Sequence, residues 1–226
     1  MNIELKTTRE PEDVATLIAS SILKQLKSGQ HVLFFATGGS SIYICTKISK
    51  ILREYPDKNL VKNLTVTLTD ERYGAVGHLD SNWQQLMDRG FCLPEAKCIP
   101  VLNGEEKDAT VREWNNTLNQ ELMTKGYKIG VFGVGADGHT AGILPESPAI
   151  DSEDFACGYD TPTFSRITIT SKTIEKLDEA AVWVQGIGKW PIVENLLKEN
   201  IPINTQPTQI LKKVPLLTIF SDYNAQ

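Results

Sequence analysis

The sequence predicts a single α/β domain, doubly wound around a mostly parallel sheet with helices on both faces. Three observations point there. Apolar runs of strand length alternate with segments of helical periodicity, the pattern of parallel strands joined by right-handed crossovers. Several runs are continuous rather than alternating, as strands covered on both faces are. Several also break at their carboxyl ends into short Gly-rich or charged turns, where open α/β sheets place their chemistry. At 226 residues, such a domain needs no second core.

Bulk properties narrow the class. Hydrophobic residues make up 41% and charged residues 23%, ordinary values for a globular protein. The net charge of −5 argues against nucleic acid as a partner, because counterion release needs clustered Lys and Arg. A local basic pocket for a small phosphate stays open. Four cysteines, Cys45, Cys92, Cys98 and Cys157, have neither Cys-x-x-Cys spacing nor the density of a disulfide scaffold, so reduced thiols in a cytoplasmic protein are expected. Met1 to Glu10 is polar, with no apolar core of a signal peptide. No segment approaches the ~18 consecutive apolar residues of a membrane span, so no membrane partner is expected.

Taken in order, Pro11 to Lys27 reads as the first helix. Pro11 suits its first turn, Glu12 and Asp13 complement its positive end, and Gly29 sits past its last apolar position. Val14, Leu17, Ile18, Ser21, Ile22 and Leu26 form its inward stripe. His31 to Ala36 is a strand of the doubly buried kind. It runs into Thr37-Gly38-Gly39-Ser40-Ser41, after which Ile42, Ile44, Cys45, Ile48, Ile51 and Leu52 resume a helical pattern. Strand, small-residue turn, helix aims backbone N–H groups and a helix dipole at an anion. The plain alternative is a tight turn with no ligand. No Lys-Ser or Lys-Thr follows, which argues against a nucleotide P-loop.

Leu64 to Leu68 is the next strand, ending in Thr69-Asp70-Glu71-Arg72. Three adjacent charges there read, by themselves, as a solvated strand end. Ser81 or Asn82 caps a helix through Met87, and a lone His78 in between reads as a surface or capping residue. Cys98 to Leu102 is a short strand. Asp108 to Lys125 is an amphipathic helix with Val111, Trp114, Leu118 and Leu122 on one face and Gly126 as its stop.

Ile129 to Val134 has the length and branching of a buried strand. It breaks at Gly135 into Gly135-Ala136-Asp137-Gly138-His139-Thr140, with an acid and an imidazole two residues apart and a glycine free to take positive φ between them. Pro145 and Pro148 mark a loop through Asp154. Phe155 to Tyr159 reads as a short edge strand, Arg166 to Thr170 as another strand, and Ser171 to Leu177 as the start of a helix. Ala180 to Val184 is a further apolar strand, ending in Gln185-Gly186-Ile187-Gly188-Lys189, with a helix to Lys198 beyond. Leu216 to Phe220 closes the sheet.

Together these segments resemble the 6-phosphogluconolactonases of the sugar-phosphate isomerase and deaminase superfamily. Thr37-Gly38-Gly39-Ser40 is similar to that family's Ser-Gly-Gly-Ser phosphate loop. Asp70-Glu71-Arg72 with His78, Ser81 and Asn82 resembles its Asp-Glu-Arg…His-x-x-Ser-Asn segment. Gly133-Val134-Gly135-Ala136-Asp137-Gly138-His139-Thr140-Ala141 matches its Gly-x-Gly-x-Asp-Gly-His-Thr-Ala signature. Arg166-Ile167-Thr168 and Gly186-x-x-Lys189 resemble two further elements. The matches run in chain order from about residue 35 to about 190, a coincidence that chance does not readily supply. Ile42 stands where proline is usual, Gly74-Ala75 where Val-Pro is common, Gly142 where Ser is common, and Glu146 where Gly often follows Pro. The deaminases of the superfamily follow Asp-Gly-His with Ile-Ala-Phe-Asn-Glu-Pro, whose acid would fall on Leu144 here; Thr140-Ala141 is the lactonase form.

The resemblance implies a Rossmann-like fold and a hydrolase that opens the ester of 6-phospho-D-glucono-1,5-lactone, a phosphorylated sugar lactone, to 6-phosphogluconate in the oxidative pentose phosphate pathway. His139 is the expected base, with Asp137 or alternatively Asp70 orienting it, and Arg72 offsetting charge on the tetrahedral intermediate. Thr37, Gly38, Gly39 and Ser40, with Arg166 and Lys189, are the expected phosphate cradle; His78 and Asn82 are placed in the rest of the substrate cleft. No cofactor and no metal is called for. The other readings are a glucosamine-6-phosphate deaminase or isomerase and a non-catalytic sugar-phosphate sensor. A monomer or a small homo-oligomer is expected.

Overall fold

The computed structural model describes residues 2–124 and 126–224. The strands, in chain order, are β1 (Asn2–Thr7), β2 (Val32–Ala36), β3 (Leu64–Leu68), β4 (Asp70–Arg72), β5 (Lys97–Cys98), β6 (Tyr127–Gly133), β7 (Ala156–Asp160), β8 (Ser165–Ile169), β9 (Glu179–Val184) and β10 (Leu216–Ser221). The α-helices are α1 (Pro11–Lys27), α2 (Ile42–Glu54), α3 (Lys58–Val61), α4 (Asn82–Asp88), α5 (Lys107–Met123), α6 (Ser171–Ile174) and α7 (Trp190–Lys198). Among the described residues no helix is long and apolar enough to cross a membrane.

Seven strands form one parallel sheet in the order β1-β10-β9-β6-β2-β3-β5. Every residue of β2 and of β3 is buried. Strand β2 is a continuous apolar run, as strands between two helical layers commonly are, and the alternating β3 buries Thr65 and Thr67 with hydrogen-bond partners, the His31 ring and the Ile99 carbonyl. From β2 the chain steps outward to β3 and β5, then returns to β6 on the other side and steps outward again through β9 and β10. Right-handed crossovers that start from the middle and run in opposite directions put their helices on opposite faces. The reversal falls between β2 and β6, so their carboxyl ends open a crevice there. Helix α1 packs on α2. It buries Val14, Ile18, Ile22 and Leu26 as expected, but with Ala15 and Ala19 beside them; Leu17 is only partly buried.

Four expectations need correction. The polar amino terminus is strand β1, which pairs with β10; β10 is therefore interior and β1 closes the sheet. Its lightly buried alternation explains the weak hydrophobic signal. The segments expected at Phe155–Tyr159 and Arg166–Thr170 are not in the parallel sheet. They are β7 and β8 of a separate antiparallel sheet of order β4-β8-β7. Only residues 161–164 separate them, closed by Thr161 N–H donating to the Phe164 carbonyl at 2.9 Å; a parallel crossover needs a dozen residues or more. Asp70-Glu71-Arg72 is no solvated strand end: it is β4, paired with β8, and Asp70 and Glu71 are buried. The strand at Cys98–Leu102 and the helix at Ser171–Leu177 shorten to the two residues of β5 and the single turn of α6. Helix α5 starts at Lys107; the expected end at Lys125, like Met1, lies outside the described residues.

Candidate active site

The β2–β6 crevice holds a cavity of about 310 Å³, within the size range of small-molecule sites. Thr37, Gly38, Gly39 and Ser40 line it from the carboxyl end of β2; Gly135, His139 and Ala141 from that of β6; Lys189 from beyond β9. Asp70, Arg72 and Asn82 reach it from β4 and α4, and Arg166 from β8. Of the candidates read from the sequence, His78 and Asp137 are not in that lining. His78 Nε2 hydrogen-bonds the Arg72 carbonyl at 3.0 Å, behind the pocket wall. It fits because position 74 is glycine: a Cβ there would meet His78 Nε2 at 2.9 Å.

Asp137 stands behind His139. His139 Nδ1–H donates to Asp137 Oδ1 at 2.6 Å, and the backbone N–H of His139 donates to the same oxygen at 3.2 Å. That pairing fixes the imidazole tautomer and leaves Nε2 with a free lone pair. Burial alone would raise the Asp137 pKa, but the backbone and side-chain hydrogen bonds from His139, with the electrostatic attraction of those N–H groups, hold it below the usual carboxylate value. The turn is built for this contact. Gly135 N–H donates to the His139 carbonyl at 2.9 Å, and Gly138 takes φ +81°. The Gly138 carbonyl accepts from Thr208 N–H at 2.9 Å and from Thr208 Oγ1 at 3.0 Å. Thr208 lies on a 3-10 helix, Pro207–Lys213, seventy residues on, with no local signal for it in the sequence.

Asp70 turns the other way. Its Oδ1 accepts from Thr69 Oγ1 at 3.0 Å, and its Oδ2 lies 3.9 Å from Arg166 Nη1. Of the two acids left open as partner to the histidine, the hydrogen-bonded one is Asp137. Arg72 Nη1 donates to the Asp80 carbonyl at 2.9 Å. Asn82 Nδ2 donates to the Asp70 carbonyl at 2.8 Å, and its Oδ1 is buried without a partner against Gly38, where a Cβ would lie 2.0 Å from it.

Glu71, no candidate on sequence grounds, organises this wall. It is fully buried, and its carboxylate accepts from the backbone N–H groups of Arg72 (2.8 Å), Asn82 (2.5 Å) and Trp83 (3.0 Å) and from Ser81 Oγ (2.9 Å). Desolvation pushes its pKa up and those donors pull it back only in part. The carboxylate joins β4 to the start of α4 and so sets where Arg72 and Asn82 stand. Cys45, behind the Gly38-Gly39 turn, accepts from Thr37 N–H, and burial pushes its thiol up to about 12; it is a neutral packing group there. Among the described residues no cluster of three or more His, Cys, Asp or Glu is arranged to hold a metal ion.

An open α/β sheet with an imidazole–carboxylate pair and convergent cationic side chains around a cavity at its switch point defines the broad class: a doubly wound α/β protein with a polar, cation-lined cavity. The chain belongs to the family described as glucosamine-6-phosphate isomerases/6-phosphogluconolactonase, whose model matches residues 9–217. A 6-phosphogluconolactonase of Helicobacter pylori is 26% identical over 201 residues, covering 85% of this chain and 83% of the relative. In fold, a 6-phosphogluconolactonase from Shewanella baltica superposes with a TM-score of 0.80 at 20% identity, covering 97% of this chain and 98% of that one. A monomeric glucosamine-6-phosphate deaminase has a TM-score of 0.76 at 20% identity, covering 98% and 97%. Both branches thus share this fold.

Proposed function

We propose that the protein is a 6-phosphogluconolactonase, hydrolysing the ester of 6-phospho-D-glucono-1,5-lactone to 6-phosphogluconate. The observation that carries the reading is that one cavity is lined both by His139, with its Nδ1 held by Asp137, and by the anion-binding set Gly38, Gly39, Ser40, Arg166 and Lys189. In this mechanism the phosphate docks on the N–H groups of the glycine turn and on the two cations. His139 Nε2 takes a proton from water as the oxygen adds to the lactone carbonyl. Arg72 offsets the charge on the tetrahedral oxygen. The imidazolium, steadied by Asp137, then returns the proton to the departing ring oxygen, giving the open acid. The remote phosphate grip positions the carbonyl, so it serves the chemical step as well as affinity.

The deaminase reading is weaker on the same geometry. Leu144 occupies the place of its acid, and the exposed Glu146, two residues further on, does not line the cavity. The reading takes the chain as one domain acting in the cytoplasm, as a monomer or small homo-oligomer. The test is hydrolysis of the phosphorylated and unphosphorylated lactones side by side, with spontaneous opening subtracted, and glucosamine 6-phosphate as control. The phosphorylated lactone is expected to be strongly preferred, ammonia release absent, and His139→Ala folded but nearly inactive. Full activity in His139→Ala would refute the role given to the imidazole.

A further inference from the structure

Arg72 and Arg166 sit directly opposite each other in the β4–β8 ladder. Like charges in that position repel. Among the described residues, the only acceptors of their side chains are the Asp80 carbonyl for Arg72 and, at the longer distance of 3.9 Å, Asp70 for Arg166. Both Nε atoms are buried without a hydrogen-bond partner. What both guanidinium groups do share is the ring of Phe164, whose centroid lies 5.1 Å from Arg72 Cζ and 5.8 Å from Arg166 Cζ. The ring is carried on the β7–β8 turn, where Phe164 N–H donates to Thr161 Oγ1 at 3.0 Å and the Phe164 carbonyl accepts from both Thr161 N–H and Thr161 Oγ1. Phe164 itself does not line the cavity.

We infer that Phe164 is a positioning residue for the anion grip: its electron-rich face holds two mutually repelling arginines at the cavity wall while the site is empty. The quadrupole of an aromatic face attracts cations within about 6 Å of its centroid, which lets the ring offset the repulsion without occupying the guanidinium N–H groups that an anion needs. Arg72 has a second anchor in Asp80. The Arg166 side chain has no hydrogen bond among the described residues, so the loss falls mainly on Arg166, the arm assigned to the phosphate. This rests on the phosphate-binding reading of Arg166 given above.

The test compares Phe164→Leu and Phe164→Met, which keep apolar bulk without a ring, with Phe164→Tyr, which keeps the ring. Lactone kinetics and calorimetric titration of inorganic phosphate are run on each folded variant. Expected for both ringless variants is a rise of about tenfold in KM for the phosphorylated lactone. Phosphate binding weakens in parallel, kcat changes little, and hydrolysis of the unphosphorylated lactone is unaltered. Phe164→Tyr is expected to behave as the parent. Unchanged phosphate affinity in the ringless variants, or an equal loss in Phe164→Tyr, would overturn the inference. A parent protein that binds phosphate but opens no lactone would sink the lactonase reading alone, because the titration still reports on Phe164.

Discussion

The sharpest test of the imidazole–carboxylate geometry is one methyl group at position 135. A Cβ built there would lie 2.1 Å from His139 Nδ1, 2.2 Å from its Cε1 and 2.5 Å from Asp137 Oδ1. Ordinary contact begins near 3.4 Å, so in Gly135→Ala the imidazole and the carboxylate must both retreat by about 1 Å, and the pair cannot close as it does now. A displacement of that size at the reacting group costs about 10²-fold in rate, or about 2.7 kcal/mol of barrier. Gly135 is not among the residues with positive φ, so alanine adds no backbone strain, and the proposed phosphate cradle is built on other segments. The expected outcome is a kcat reduced about a hundredfold with KM and circular dichroism near the parent's. Initial rates of lactone opening, corrected for the spontaneous reaction, measure it. A folded Gly135→Ala protein with parental kcat would show that the Asp137–His139 contact is not what makes the site work.

Three further outcomes follow, two from the same pair and one from the backbone at position 146. Asp137→Asn removes the acceptor that fixes the imidazole tautomer, so kcat is expected to drop by about 10²- to 10⁴-fold. The stability effect has a definite sign. The folded-state pKa of Asp137 is depressed below 3.8, so its contribution is present above that value and is lost as pH falls through the folded value. The Tm difference between parent and Asp137→Asn should therefore narrow on acidification below 3.8, as melting curves across that range would report. Glu146 holds φ +60°, a left-handed conformation that costs a side chain about 1–2 kcal/mol. Part of the relief is returned as glycine's extra freedom in the unfolded chain, so Glu146→Gly is expected to stabilise the fold by roughly 0.5–1 kcal/mol; an unchanged or lower Tm would contradict it.

Two departures from the family pattern acquire physical meaning here. The usual glycine after Pro145 answers the positive φ that Glu146 adopts. Gly142 stands where its backbone N–H donates to Thr168 Oγ1 at 3.0 Å, and a Cβ would approach Thr168 Cβ to 2.8 Å and Asp70 Cβ to 3.1 Å. In this chain the close approach of that loop to β8 requires the small residue.

The chain by itself determined the parallel framework and the turns that carry the cavity lining from β2, β6 and β9, because hydrophobic periodicity and glycine-rich strand ends are local signals. Helix α1 and strand β3 fall at their expected bounds for that reason. Only the tertiary structure decided that Asp137 holds His139 while Asp70 faces Arg166, that a fully buried Glu71 fixes the Arg72–Asn82 wall, and that Thr208 on its 3-10 helix and Phe164 on the β7–β8 turn brace Gly138 and the arginines from distant parts of the chain. Those contacts join residues whose separation carries no periodicity. A second, antiparallel sheet set against the switch point brings the arginines to the cavity, and such a juxtaposition exists only once the strands have paired.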